Sequence, residues 1–260
     1  MAKTAWFSKE YLPHFQDREE SITSAIDDSD VGQKILNQSV LLVALAFFYG
    51  IIMGCYNGFF QAVSSAVKMP VLFVLLILIC FPAFYVIQAV LGSKLSLSQM
   101  ITIILSGFIY TVSIMASFST IVLFFLITGG NYAFIQLLHV AIITLAGIFG
   151  MKHVVDALAY SCEKKKIYPK TGVLVFRFWI VIMFFVGSQL SWSLRPFIGS
   201  KDMPFQVFRK QEGNFYRQVL LSTWNLFMRP ERAIEKKPEP AGPQGIPAPG
   251  PDATAPDRTN

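Results

Sequence analysis

Between Val31 and Val155 the chain contains no aspartate, no glutamate and no arginine; Lys34, Lys68, Lys94 and Lys152 are its only acidic or basic residues other than histidine. A water-soluble domain keeps about 25% of its residues charged, so a stretch this poor in charge cannot cover itself for water. A helix needs about 20 apolar residues to span the hydrocarbon core of a bilayer, which leaves room here for four crossings. The whole chain agrees, with 53% hydrophobic residues, 15% charged residues and 24 Phe. Lipid is the solvent that suits this sequence.

Five apolar segments follow one another, roughly Val40 to Phe60, Met69 to Leu91, Ile101 to Thr128, Tyr132 to Met151 with helix continuing toward Tyr160, and Val173 to Leu194. Their apolar residues run on continuously. The alternation of a barrel strand is missing, so helices are expected. Short links between the first four make neighbours antiparallel. The expected fold is all-α: an integral membrane bundle of five transmembrane helices with an interfacial amphipathic helix after the last one.

This divides the chain into an acidic cytoplasmic lead-in (1–37), a five-helix domain (38–195), an interfacial aromatic segment (196–230) and a disordered proline-rich tail (231–260). The lead-in lacks the basic start and apolar core of a signal peptide, and Ser29 or Asp30 is placed to cap the first helix. The tail, "EKKPEPAGPQGIPAPGPDATAPDRTN", offers almost nothing to bury.

The net charge of +6 is concentrated beside membrane segments, at Lys164, Lys165, Lys166 and Lys170 and again from Arg195 to Lys237. Such placement suits topology and lipid headgroups rather than nucleic acid. Basic residues in short loops favour the cytoplasmic side. The N-terminus, the Lys94 loop and the Lys164 to Lys170 loop are therefore expected in the cytoplasm. Cys55, Cys80 and Cys162 lack the spacing of a disulfide framework or zinc site.

In "YGIIMGCYNGFF", Gly50, Gly54 and Gly58 share one helical face and invite close helix packing. Asn57 and His139 are the candidates for an intramembrane polar site, although packing against a neighbour or a single carbonyl would equally satisfy them. Pro82 removes a backbone donor and is expected to kink the second helix. Ser106, Ser113, Ser117 and Ser119 can bond their own backbone or a neighbouring helix. Buried carboxylates for coupled transport, a GxSxG elbow, an HExxH helix and a P-loop are all missing from the sequence. No catalytic residue, cofactor or metal site is expected.

The segment "SQLSWSLRPFIGSKDMPFQVFRKQEGNFYRQ" packs aromatic residues behind the fifth helix. Trp192 and Arg195 suit the headgroup region. Phe205, Phe208, Phe215 and Trp224 present apolar surface to a partner or to lipid.

The stretch "MPVLFVLLILICFPAFYVIQAVLGSKLSLSQMITIILSGFIY", with Gly92, Ser96, Ser98 and Gln99 at a turn between helices, resembles the middle of the Yip family of multi-pass membrane proteins. That resemblance implies about five helices behind a polar N-terminus. "SQLSWSLRPFIGS", "PFQVFR" and "GNFY", with the Pro82 region, resemble an uncharacterised family of bacterial inner-membrane proteins, which implies no assigned activity. The functional expectation is a non-enzymatic scaffold or accessory subunit of a membrane assembly, with lipids and other membrane subunits, or further copies of itself, as partners. A channel or transporter component for a small molecule or lipid is the alternative.

Overall fold

The computed structural model of the chain describes residues 31–163, 166–199, 207, 217, 219, 220, 223 and 224. The protein is all-helical, with no strand among the described residues. The helices are α1 (Val31–Gly54), α2 (Phe59–Val90), α3 (Leu97–Ile127), α4 (Tyr132–Glu163) and α5 (Lys170–Leu194). All five are long and apolar enough to cross a membrane, so the chain is a polytopic membrane protein. α1 packs on α2 and on α3, α3 on α4, and α5 bridges α4 and α2, closing a ring in the order α1, α3, α4, α5, α2.

Two of the tightest seams are built on glycine. A Cβ added at Gly50 would lie 2.5 Å from the Ser65 carbonyl oxygen, and one at Gly54 would lie 2.5 Å from Ala62 Cα, so α1 and α2 meet backbone to backbone. Gly58 does not extend this contact. It lies in the turn before α2 with φ of 118° and nothing within 4 Å of a Cβ position, because α1 has already ended at Gly54. On the other side of the ring, a Cβ at Gly150 of α4 would lie 2.5 Å from the Gly107 carbonyl oxygen of α3.

The boundary between the first two helices departs from the sequence expectation. The first helix stops at Gly54 rather than Phe60, and the second starts at Phe59, ten positions ahead of Met69. Gln61, Ser65 and Lys68 read as a break in hydropathy. In the fold they lie one or two turns apart along one side of α2, and all three are buried. α1 likewise begins at Val31, ahead of the expected Val40, and buries Lys34, Asn37 and Gln38. α2 runs on through Pro70 and Pro82.

The Gly92 to Gln99 turn follows from local chain chemistry. Gly92 takes φ of 88°. Ser96 caps α3 by accepting from the Gln99 N–H at 3.2 Å, while the Ser96 N–H donates to Gln99 Oε1 at 3.0 Å. Within α3, Ser106, Ser117 and Ser119 bond carbonyls of their own helix. At the same end of the bundle, the Lys94 N–H donates to the Ile167 carbonyl at 2.9 Å and Gln88 Nε2 to the Gly172 carbonyl at 3.3 Å. These bonds tie the α4–α5 loop to the turn after α2, and the first turn of α5 to α2 itself.

Two outcomes test this packing by thermal unfolding of the purified protein in neutral detergent. Gly54→Val, which forces a side chain into the α2 backbone, should cost about 3 kcal/mol or more, whereas Gly32→Ala, with nothing within 4 Å, should be near neutral. Tyr168, in the α4–α5 loop, is buried with no hydrogen-bond partner for its hydroxyl among the described residues. Burial, with the Cys162 thiol beside it, raises its pKa and keeps it neutral. Tyr168→Phe should leave stability unchanged or raise it by about 1 kcal/mol.

Candidate ligand cavity

At the end of α5 the helix stops in front of Pro196, which cannot continue it. The carbonyls of the following turn then need donors, since an unsatisfied backbone group costs several kcal/mol away from water. The polar side of α2 supplies them. Gln61 Nε2 donates to the Pro196 carbonyl at 2.9 Å and the Phe197 carbonyl at 3.2 Å, and Ser65 Oγ donates to the Phe197 carbonyl at 2.5 Å. Lys68 Nζ donates to the Pro196 carbonyl at 3.1 Å and to the Val207 carbonyl. Tyr132 of α4 donates to the Ile198 carbonyl at 3.3 Å, and Gly199 seats against Asn57, where a Cβ would be 2.2 Å from Nδ2. The strap from Arg195 to Gly199 is thereby fastened across one end of the ring.

Behind the strap lies a cavity of about 360 Å³, inside the usual size range of small-molecule sites, roughly 300–1,000 Å³. Every helix contributes to it, from Met53 of α1 to Met183 of α5. On α4 its lining recurs from Tyr132 through Gln136, His139, Ile143 and Gly147 to Met151, one helical face about 28 Å long. It ends at Thr111 and Met151, beside the point where Gly107 and Gly150 bring α3 and α4 into contact. At the strap end the lining is polar: Ser188, Ser191 and Arg195 of the fifth helix and its cap, with Tyr132 and Gln136 of α4. The Arg195 guanidinium stacks 3.5 Å above the Trp192 ring.

His139 lines this space from α4 and is 2% exposed. Its Nδ1 is 2.7 Å from the hydroxyl of Tyr49 on α1, a residue that is itself fully buried. A buried hydroxyl with an unused proton is costly, so the hydrogen-bond network assigns Tyr49 as donor and Nδ1 as acceptor. That places the imidazole proton on Nε2, which has no hydrogen-bond partner among the described residues.

The residues picked out from the sequence are distributed unevenly over this geometry. Gly50 and Gly54 sit in the α1–α2 seam, remote in role from the cavity. His139 lines the cavity, whereas Asn57 occupies the α1–α2 turn against Gly199, so the two do not form one polar site. Trp192, expected at the headgroup surface, is 9% exposed and faces the cavity with Arg195; the clasp on α2 folds this part of the chain inward. Trp224 is exposed, and Arg217, Val219, Leu220, Thr223 and Trp224 are helical. Phe205, Phe208 and Phe215 lie outside the described residues.

Sequence reasoning passed over Ser65, Tyr49, Tyr132, Gln136, Ser188 and Ser191. The spacing of Gln61, Ser65 and Lys68 was the one available signal, since it repeats a helical face immediately before an apolar run. Fold and site together define a polytopic α-helical membrane protein with a ligand-sized cavity inside the helix ring. No protein-family model, curated protein or solved structure matches the chain.

Tyr49→Phe strands Nδ1 of His139 and should destabilise the protein by about 1–3 kcal/mol. Adding His139→Leu should recover much of that loss, giving a non-additive cycle in thermal unfolding. Additive losses would show that the two side chains are not coupled.

Proposed function

We propose that this non-enzymatic membrane protein holds a small apolar or amphipathic molecule within its helix ring, as a carrier or transporter component for a small molecule or lipid. The cavity carries this reading: its walls are mostly Met, Phe, Leu, Ile and Val, with a small number of polar groups set among them, the usual chemistry of a small-molecule site. The seam at Gly107 and Gly150 closes the deep end of the lining, which favours binding over an open water-filled pore. His139 is engaged by Tyr49, not by a nucleophile or carboxylate, which supports a binding role over catalysis. The scaffold reading draws support only from exposed apolar faces, and lipid accounts for those equally well.

Location in a bacterial inner membrane with the N-terminus in the cytoplasm belongs to the same proposal. The support for that orientation is the basic loop between α4 and α5, which the four crossings before it return to the side where α1 begins. The strap and the polar end of the cavity then face outward.

Gly187 provides the test, because it lines the cavity and a Cβ there would meet only the Leu76 side chain, at 3.5 Å. Gly187→Leu should fill the space while the protein still elutes and melts as a folded species. Native mass spectrometry of wild-type protein purified gently from its membrane should show a bound small molecule that the variant has lost. An unchanged adduct in the variant, or a wild-type protein that carries none and is stabilised by no apolar additive, would sink the reading.

A further inference from the structure

Granted the reading that the cavity holds a molecule, the route into it restricts what that molecule can be. The strap covers one end, and the contact between Gly107 and Gly150 closes the other. On α1, α2 and α3 every lining residue is buried, from Met53 to Thr111. The lining residues that are also exposed, Thr144 and Phe184, belong to α4 and α5. Between those two helices Gly147 and Gly187 add no side chain to the wall, and the Phe184 ring, 38% exposed, stands over Gly147. The cavity therefore opens sideways, between α4 and α5.

That opening lies deep in the membrane. Thr144 is twelve residues from the start of α4, and Phe184 is ten from the end of α5. Both are about 15–18 Å along their helices from the strap end, near the middle of a hydrocarbon core about 30 Å thick. An ion is too costly at that depth. A molecule that enters there is neutral and dissolved in the bilayer.

Inside, the wall offers such a molecule a hydrogen bond. His139 is 2% exposed, with Tyr49 at its Nδ1 and no partner among the described residues at its Nε2. Gln136, three residues earlier on the same face of α4, adds an amide to the lining. With its proton on Nε2 the imidazole is a donor there, and the amide carries two further N–H bonds. Their complement on a ligand is an oxygen acceptor. A carbonyl oxygen accepts without bringing a proton that would need a partner of its own.

We propose that the cavity takes up a neutral carbonyl lipid from the hydrocarbon core, through the gap between α4 and α5, and holds its carbonyl oxygen on the side of α4 that carries Gln136 and His139. The shared chemistry is a carbonyl oxygen on an uncharged, apolar body. Its two sources are the ring carbonyl of a lipid-soluble quinone and the ester carbonyl of a diacylglycerol.

Full-length protein in phosphatidylcholine vesicles is photolabelled with the apolar carbene reagent 3-trifluoromethyl-3-(m-iodophenyl)diazirine, and the labelled residues are located by mass spectrometry. Label should reach Met183 and Trp192, which line the cavity and are buried, as well as Phe178 and Val181 on the outer face of α5. Decylubiquinone or dioctanoylglycerol should lower the label at Met183 and Trp192 at least fivefold and spare Phe178 and Val181. Hexadecane, which has no oxygen, and hexadecyl sulfate, which is charged, should compete at least tenfold more weakly. Gln136→Leu should weaken both carbonyl competitors roughly tenfold and leave hexadecane unchanged; Gln136→Met replaces it if recovery is poor. The stronger of the two carbonyl compounds identifies the source, and either result supports the class.

Hexadecane or hexadecyl sulfate competing as well as the carbonyl compounds, or a Gln136 variant that responds like wild type, would overturn the neutral carbonyl class while the side entrance stands. Strong label at Phe178 and Val181 with none at Met183 and Trp192 would overturn entry from the bilayer. The bound-molecule comparison with Gly187→Leu would still decide whether the cavity is occupied.

Discussion

The carbonyls of Pro196 and Phe197 must find donors where water is scarce, and much of this architecture follows from how they do so. α5 stops at a proline and exposes those carbonyls at one end of the bundle. α2 meets them with Gln61, Ser65 and Lys68 on one side of its first three turns. That requirement explains why a polar stretch is wound into a helix rather than left as a loop. It also fastens the end of α5 to α2, turns Trp192 inward, and roofs the space between α2, α4 and α5. Without those donors, the strap would have to reach water and the cavity would lose a wall.

Glycine plays opposite parts in different seams of the ring. At Gly50, Gly54, Gly107 and Gly150 the missing side chain lets backbones touch, and the seams are dry and tight. Gly147 of α4 faces the Phe184 ring of α5 at 3.0 Å and Gly187 of α5 faces the Leu76 methyls of α2 at 3.5 Å, so their nearest neighbours are side chains rather than backbone. Here the missing side chains become empty volume. α5 is the least embedded helix, burying only Gly172, Phe176, Met183 and Trp192. A small residue at such a loosely held seam leaves a chamber; at a closely held one it becomes a contact.

Five crossings were legible from the absence of carboxylates and the lengths of the apolar runs, because lipid tolerates few other solutions. The close-packing role of Gly50 and Gly54 was also legible from their spacing, while Gly58 was misplaced because the end of α1 could not be read inside a continuous apolar stretch. Of the site, His139 stood out as an ionisable group inside an apolar run. Its partner Tyr49 did not, because ninety positions separate them and nothing local in either helix announces the bond. Trp192 and Arg195 have the composition of an interfacial anchor, so their inward position was invisible until the clasp on α2 was seen.

The sequence by itself determined the solvent, the number of helices and much of their packing chemistry, since charge depletion, segment length and residue size act locally and need no knowledge of neighbours. Which side chains face one another was decided only by the tertiary structure. The closing of the ring sets α1 against α4 through Tyr49 and His139, and the strap bonds α2 to residues some 130 positions later in the chain. A cavity is the space that several distant segments fail to fill, and no single segment encodes it.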